Sequence, residues 1–318
     1  MADGSKAHED AEFHSGFVCF VGRPNTGKST LTNALVGAKI AITSSRPQTT
    51  RHTIRGIVHR EHTQLILVDT PGLHRPRTLL GQRLNDLVRD TYSEVDVIAL
   101  CIPADEKIGP GDRWIVQQIR QMAPRTTLLG VVTKIDKVSR DQVAEQLVAV
   151  SQLLGPDADV VPVSAVKGEQ VEVLVDVIAS KMPEGPAFYP DGELTDEPEE
   201  TLMAELIREA ALEGVRDELP HSLAVVIEEI LPYEGRETES TGPRPARAML
   251  DVHALLYVER PSQKAIVIGK GGSRLKEVGT NARKQIEHIL GTRIYLNLHV
   301  KVAKDWQRDP KQLGKLGF

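Results

Sequence analysis

The chain has 318 residues, a net charge of −5, 40% hydrophobic and 26% charged residues, which is ordinary for a soluble globular protein. Residues 1–16 are polar and no apolar run reaches membrane-spanning length, so we expect neither a signal peptide nor a membrane span. Cys19 and Cys101 lie in separate apolar runs, which favours buried thiols over a disulfide or metal site. We therefore predict a cytosolic chain of two domains.

The first part of the chain alternates apolar runs with stretches of helical length. Strands are predicted at FVCFV, TIRGIV, QLILVD, DVIALCI, TLLGVV and DVVPV, and helices at residues 28–36, 78–92, 112–122, 140–153 and 169–181. Near-continuous apolar strands alternating with helices are typical of a mainly parallel sheet covered on both faces. We predict a polar tail over residues 1–15 and an α/β domain over residues 16–182.

The composition changes at Pro183. The stretch PEGPAFYPDGELTDEPEE holds four prolines and seven acids with no basic residue, which predicts a semi-rigid, self-repelling linker over residues 183–198. Beyond it, residues 199–318 predict the order α-β-β-α-α-β with a polar turn at residues 235–245. This second domain is expected to be α+β.

A phosphate-binding loop is indicated by GRPNTGKS, from Gly22 to Ser29, between an apolar strand and a helical stretch. The two glycines allow backbone amides to turn towards a β-phosphate, Lys28 neutralises the β and γ oxygens, and the Ser29 hydroxyl reaches Mg²⁺. The nucleotide contacts predicted here are Gly22, Asn25, Thr26, Gly27, Lys28, Ser29 and Thr30.

Two further segments predict the rest of the metal and γ-phosphate site. Asp69-Thr-Pro-Gly72 ends a strand, where the carboxylate can hold Mg²⁺ and the Gly72 amide can meet the γ-phosphate. The segment PQTTRHTIRG offers a second hydroxyl for Mg²⁺, with Thr50 preferred and Thr49 as the alternative. Lys28, Thr50 and Gly72 are the predicted catalytic groups, and Ser29, Thr50 and Asp69 the predicted metal ligands.

Base selection is predicted from Thr133-Lys134-Ile135-Asp136 and Ser164-Ala165, which end two successive strands. An aspartate carboxylate accepts two hydrogen bonds from guanine N1 and its exocyclic amine, and adenine offers no such donor pair. GTP and GDP are therefore the expected nucleotides.

A second glycine loop, Gly269-Lys270-Gly271-Gly272, fails the phosphate-loop pattern because Lys264 and Gly271 stand where Gly and Ser or Thr are needed. It is a GxxG loop between two predicted helices, as in the RNA clamp of a KH domain. Residues 261–318 hold 12 Lys and Arg against 4 Asp and Glu, a surplus suited to a polyanion. The predicted RNA contacts are Gly269, Lys270, Gly271, Gly272, Ser273, Arg274, Lys276 and Arg283.

The flanking residues carry three smaller predictions. Ile266, Val267 and Ile268 are expected to be core. Trp306 is either a packing residue or a base-stacking residue. His52, like His74, is favoured as a loop or RNA-facing polar residue over a general base.

Residues 16–181 carry GRPNTGKS, the threonine segment, DTPG, TKID and SA in order, and in this they resemble the Ras-like translation-factor GTPases. One departure is Thr133, where that class usually has Asn tying the base loop to the phosphate loop. A second is Leu73, where Ras has the glutamine that orients water, so slow intrinsic hydrolysis is expected. In related GTPases an asparagine at the place of Asn25 helps bind potassium, which makes Asn25 a hypothetical K⁺ ligand.

With the KH half included, residues 16–318 resemble the Era family of bacterial GTPases, which join a Ras-like α/β P-loop GTPase domain to a type II KH domain. The resemblance implies binding near the 3′ end of 16S ribosomal RNA, a role in small ribosomal subunit assembly and maturation, and some association with the inner face of the cell membrane. We further expect the linker to transmit the nucleotide state to the RNA loop. Two alternatives stay open: a GTPase signalling at a protein or membrane target with the KH half as adaptor, and an RNA scaffold that binds GTP without turnover.

Overall fold

The computed structural model describes residues 12–43, 50–72, 78–213, 222–233 and 249–318. A six-stranded sheet forms the first domain, from β1 (His14–Val21), β2 (Ile54–Arg60), β3 (Thr63–Asp69), β4 (Val97–Pro103), β5 (Thr127–Thr133) and β6 (Val160–Pro162). The spatial order is β2-β3-β1-β4-β5-β6, and only β2 runs antiparallel to its neighbour in this sheet. The predicted strands and the mainly parallel sheet are confirmed.

Five helices cover this sheet: α1 (Lys28–Val36), α2 (Leu79–Glu94), α3 (Pro110–Met122), α4 (Arg140–Leu154) and α5 (Val171–Ala179). Alternate residues of β1 enter two separate apolar cores, because successive strand side chains point to opposite faces. Helices α1 and α5 pack in one core, and α2, α3 and α4 in the other. Both cysteines lie in these cores and are unpaired.

The ends of the first domain differ from the prediction in two places. Strand β1 begins at His14, inside the predicted tail, because His14 pairs with Thr63 of β3. Residues 183–198, predicted as a semi-rigid, self-repelling linker, lie against the first domain. The amide of Ile57 in β2 donates to Leu194 O at 2.9 Å, and the linker amide of Phe188 donates to Gln64 Oε1 at 2.7 Å.

The second domain has the predicted element order: α6 (Glu199–Leu212), β7 (Ala224–Pro232), β8 (Leu250–Val258), α7 (Pro261–Ile268), α8 (Ser273–Leu290) and β9 (Ile294–Val302). Strand β8 is central, antiparallel to β7 and parallel to β9. A short helix, α9 (Pro310–Lys315), follows. The predicted turn at residues 235–245 lies outside the described residues.

Helices α6 and α8 pack on one face of the three-stranded sheet and form its core. Ile266, Val267 and Ile268 of α7 were predicted to be core residues. Val267 is 1% exposed, and Ile268 packs at the margin of the core. Ile266 is 52% exposed, so that part of the prediction is wrong. An eight-residue helix turns only one side to the core, and Ile266 lies on the other.

The two domains share an apolar cluster. Leu80 and Leu84 of α2 pack there against the second domain. Their partners are Leu255 of β8, Leu313 of α9 and Trp306, which precedes α9, and all five residues are buried. The second domain therefore packs directly against α2 of the first domain.

Candidate functional site

The phosphate loop lies between β1 and α1 and adopts backbone angles that its sequence allows. Gly22 has φ 155° and a Cβ there would lie 2.7 Å from Cys101 O, so only glycine fits. Gly27 and Asn25 are also at positive φ, 95° and 64°. Lys28 is buried, and its Nζ donates to Gly22 O at 3.2 Å and Arg23 O at 2.9 Å. These contacts hold the ammonium inside the loop, where phosphate oxygens would lie.

Burial lowers the pKa of Lys28, and the charge of Asp69 opposes that shift. Thr26 is buried beside this lysine, and Thr30 lies in the first turn of α1. The predicted loop residues therefore lie together around the start of α1.

The three predicted metal ligands meet at one point, although they come from three separate segments. Ser29 Oγ donates to Asp69 Oδ2 at 2.7 Å, and Thr50 Oγ1 lies 3.0 Å from Ser29 Oγ and 3.3 Å from Asp69 Oδ2. Asp69 ends β3, next to β1 in the sheet, and Ser29 lies in the first turn of the helix after β1. Thr49, the alternative hydroxyl, lies outside the described residues.

The donor set of this cluster suits Mg²⁺, which takes oxygen ligands and a carboxylate. Asp69 is fully buried, and its Oδ1 has no hydrogen-bond partner among the described residues. A buried, unsatisfied carboxylate oxygen is costly unless a cation or its waters satisfy it. Burial raises the pKa of Asp69, against the opposing effect of the Ser29 hydrogen bond. The cluster therefore fits a metal ion.

Gly72 lies against the phosphate loop. A Cβ at this position would be 3.3 Å from Pro24 N and 3.5 Å from Lys28 Nζ, so a side chain would crowd the place where a γ-phosphate must lie. Leu73 and His74, the residues behind the predictions of slow hydrolysis and of a base, lie outside the described residues.

The predicted base-binding segments also come together at the carboxyl ends of β5 and β6. Thr133 Oγ1 donates to Thr26 O at 2.6 Å, which ties the base segment to the phosphate loop. Thr133 therefore forms the contact with the phosphate loop that an asparagine at this position usually forms. Lys134 has φ 57°, and Ser164 Oγ donates to Asp136 Oδ1 at 2.6 Å.

Asp136 is exposed, as a carboxylate that accepts from an incoming base must be, and Ala165 follows Ser164 at half-buried depth. Ser164 is fully buried and holds the aspartate from behind. The predicted base site is therefore open on the side away from the sheet.

The second glycine loop joins α7 to α8 at the surface. Gly269, Gly271 and Gly272 have φ 73°, 60° and 79°, and a Cβ at the last two would meet nothing within 4 Å. Lys270 and Gly271 are exposed, so the backbone here is accessible to a ligand. The helix amino terminus of α8 adds donors that suit phosphate.

The predicted RNA side chains separate into two groups. Ser273, Lys276 and Arg283 are exposed on α8. Arg274 instead donates from Nη2 to Ala211 O at 3.2 Å and Glu213 O at 2.5 Å, so its guanidinium caps the end of α6. A cap of this kind satisfies carbonyls that have no partner within the helix.

Trp306 is a packing residue and does not offer a face to a base. It is fully buried, its Nε1 donates to Ser222 O at 3.0 Å, and its ring stacks on Phe318 at 5.7 Å. The His52 ring also stacks on Phe318, at 5.0 Å, and burial lowers the His52 pKa. Both rings lie at the domain interface, which no sequence pattern indicated.

Sequence reasoning also missed a brace on the phosphate loop. Arg23 Nε donates to the buried Asp112 Oδ1 at 2.8 Å, and its Nη2 donates to Glu106 Oε2 at 2.8 Å. Asp112 also accepts from Gly109 N at 2.8 Å at the start of α3. This ion pair ties the phosphate loop to α3.

No helix in the described part of the chain has both the length and the apolar character needed to cross a membrane.

The fold and the two glycine loops define a Ras-like P-loop GTPase domain followed by a KH domain. Residues 17–134 match the 50S ribosome-binding GTPase family and residues 218–307 match the KH domain family.

Full-length relatives identify the family. GTPase Era of Mycolicibacterium smegmatis is 76% identical over 96% of this chain and 99% of its own length, and GTPase Era of Mycobacterium tuberculosis H37Ra is 72% identical over 96% and 99%. The crystal structure of Era in complex with MgGDPNP and nucleotides 1506–1542 of 16S ribosomal RNA is similar at 37% identity, covering 96% of this chain and 99% of that one, with a TM-score of 0.87. This chain belongs to the GTPase Era family.

Proposed function

We propose that this GTPase binds 16S ribosomal RNA near its 3′ end through the Gly269–Gly272 loop, and that it assists assembly and maturation of the small ribosomal subunit. The observation that carries the proposal is an exposed, glycine-built loop on a chain similar over 96% of its length to an Era that was crystallised with such RNA. The missing Cβ atoms of Gly271 and Gly272, which face open space, allow a nucleic-acid strand to approach the backbone closely. Lys270, Ser273, Lys276 and Arg283 supply phosphate contacts.

We propose that the nucleotide is GTP or GDP, held with Mg²⁺ by the clustered first-domain residues. Ser29, Thr50 and Asp69 would hold the metal, which neutralises charge on the β- and γ-phosphate oxygens when bound. Lys28 neutralises the same oxygens from the loop, and the Gly72 amide donates to the γ-phosphate. Asp136 selects guanine, and its neighbours Thr133, Lys134, Ser164 and Ala165 shape the base site.

Slow intrinsic hydrolysis is part of the proposal, since an apolar residue at position 73 cannot orient a water molecule. Asn25 is exposed in the phosphate loop and is proposed as a K⁺ ligand. Turnover measured in NaCl and in KCl at equal ionic strength is expected to be higher in KCl for the unchanged chain and equal in both salts for Asn25→Ala. Equal turnover of the unchanged chain in both salts would remove K⁺ from the account.

The RNA proposal is tested with a double substitution, Lys270→Asp with Gly271→Asp, in the full chain. Both residues are exposed, and a Cβ at Gly271 has open space, although its φ of 60° strains any side chain. We expect affinity for a 16S fragment covering nucleotides 1506–1542 to fall by about 100-fold or more, because two anions replace phosphate contacts. GTP turnover without RNA should stay within twofold.

The matched control is Lys107→Asp with Gln117→Asp, which makes the same charge change on exposed residues of the first domain. The RNA affinity of this control should stay within threefold of that of the unchanged chain, because salt screens the long-range effect of the added charges. Equal loss in both double variants would mean that only net charge matters and would refute the loop as the RNA site.

We propose a cytoplasmic location with peripheral association at the inner face of the membrane. Flotation of the purified chain with vesicles containing anionic lipid tests this directly. Recovery in the floating fraction at low salt and release at high salt are expected for surface binding. Absence from the floating fraction at low salt would remove the membrane from the proposal.

A further inference from the structure

Arg51, the residue after Thr50 in the first domain, is buried against the second domain. Arg51 is 1% exposed, and its Nη1 donates to Leu223 O at 2.7 Å. Its Cζ lies 5.7 Å from the centre of the Trp306 ring and 5.9 Å from the centre of the Phe318 ring. We call Leu223 O and these two rings the Arg51 socket. Thr50 therefore lies in the predicted metal site of the first domain, and its neighbour Arg51 packs against the second domain.

The socket suits an arginine and no other cation. A planar guanidinium can lie against aromatic rings while it donates in its own plane to a carbonyl, whereas a lysine ammonium is a compact point charge. Burial, together with the charge of Arg208 nearby, lowers the pKa of Arg51 to about 9. The hydrogen bond to Leu223 O and the contacts with the two rings hold the Arg51 guanidinium in one place.

A fixed Arg51 constrains the position of Thr50. Consecutive Cα atoms are about 3.8 Å apart, so the two residues move together. The Thr50 hydroxyl lies 3.0 Å from Ser29 Oγ and 3.3 Å from Asp69 Oδ2, near the upper end of hydrogen-bond distances. A displacement of about 1 Å would take Thr50 out of range of both groups.

The second domain also holds the chain upstream of Thr50. Lys39 Nζ pairs with Glu209 of α6, and Thr43 N donates to Glu209 Oε1 at 2.8 Å. Between them, Ile42 is 1% exposed and packs in the core of the second domain. The contacts thus lie on both sides of residues 44–49, which are outside the described part of the chain.

From these contacts we infer that Arg51 is a positioning residue for the GTPase site: the second domain, through the Arg51 socket, holds Thr50 against Ser29 and Asp69. The second domain then contributes to GTP and Mg²⁺ binding without touching the nucleotide. This inference rests on the proposed role of Thr50 as a metal ligand. It differs from coupling through the linker, because no linker residue takes part in the socket.

The test is a double-mutant cycle on the full chain with Arg51→Lys, Thr50→Ala and both together. GTP turnover is measured over a titration of Mg²⁺, and GDP affinity is measured in EDTA. We expect Arg51→Lys to raise the Mg²⁺ concentration for half-maximal turnover about tenfold, as loss of one hydrogen bond from a charged group would. GDP affinity in EDTA should stay within twofold, and the double variant should match Thr50→Ala, because Arg51 acts through Thr50.

The outcomes separate this inference from the proposed function. If Thr50→Ala leaves the Mg²⁺ requirement unchanged, the proposed metal site is wrong, and the inference fails with it. If Thr50→Ala raises the requirement while Arg51→Lys does not, or if the two effects multiply in the double variant, the metal site stands and the role of Arg51 is refuted.

Two further variants distinguish positioning from simple domain adhesion. Phe318→Ala removes one ring of the socket, and Leu313→Ala removes apolar packing from the same interface without removing any socket group. Both should lower the midpoint of thermal unfolding, which also checks that each variant folds. Only Phe318→Ala should raise the Mg²⁺ requirement. An equal rise in Leu313→Ala would overturn the inference in favour of a general effect of the interface.

Discussion

The tie between the base segment and the phosphate loop gives the sharpest prediction for nucleotide binding. Thr133 is 4% exposed, and its hydroxyl donates to Thr26 O at 2.6 Å. Thr133→Val keeps the shape and removes the donor, which leaves a carbonyl buried without that partner. The expected loss is about 1–3 kcal/mol, or roughly 5- to 150-fold in an equilibrium constant.

Because the bound nucleotide is proposed to contact both segments, the loss should appear mainly as faster dissociation. The assay follows release of a fluorescent GDP analogue by stopped flow, and Thr133→Val should release it about tenfold faster. Thr133→Ser keeps the hydroxyl and should stay within threefold of the unchanged chain. Thr127→Val, at the exposed start of the same strand, is the matched control and should have no effect.

A release rate for Thr133→Val within twofold of the unchanged chain would refute this reasoning. It would mean that the base segment is held to the phosphate loop by packing alone, and that the hydroxyl contact contributes little.

Three further predictions follow from charges at and near the site. Asp136→Asn should abolish the preference for GTP over XTP in competition binding, since the amide no longer accepts both guanine donors; retained preference would contradict the assignment. Burial raises the Asp69 pKa above its unfolded value, so protonation favours the folded chain and that stabilisation is lost as pH rises through the folded pKa. Asp69→Asn should therefore raise the thermal midpoint at pH 7 without nucleotide and yet weaken Mg²⁺-dependent turnover; a lower midpoint would contradict this. Glu205→Gln breaks a buried pair with Arg208, at 2.6 Å, and should cost about 3–5 kcal/mol in urea unfolding, whereas the exposed Glu199→Gln should cost little.

The element order of both domains could be predicted because each element carries its own pattern. The apolar runs of β1 to β6 and the glycine loops are local signals, and they placed Ser29, Asp69 and Lys270 correctly on their elements. Bringing two of the predicted metal ligands together, Ser29 after β1 and Asp69 at the end of β3, needed one more rule, that carboxyl ends of neighbouring parallel strands meet at one edge. The exposed state of the Gly269–Gly272 loop also agrees with expectation.

The domain interface could not be predicted, since its contacts join residues far apart in sequence. Arg51 and Leu223 are separated by 172 positions, and no periodicity links them. Composition predicted a semi-rigid, self-repelling linker, but it could not show that the linker lies on β2, where Leu194 O accepts from Ile57 N and Asp196 pairs with Arg55. Arg274 was counted as an RNA contact because it is basic and adjacent to the loop, whereas the end of α6 uses it as a cap.

Ultraviolet crosslinking of the full chain to a 16S fragment covering nucleotides 1506–1542, with the crosslinked peptides mapped by mass spectrometry, tests the central claim most directly. The two glycine loops are proposed to serve different ligands, so crosslinks should fall in residues 261–290 and should persist when GDP fills the first site. Crosslinks confined to the first domain, or their loss when nucleotide is added, would contradict the account.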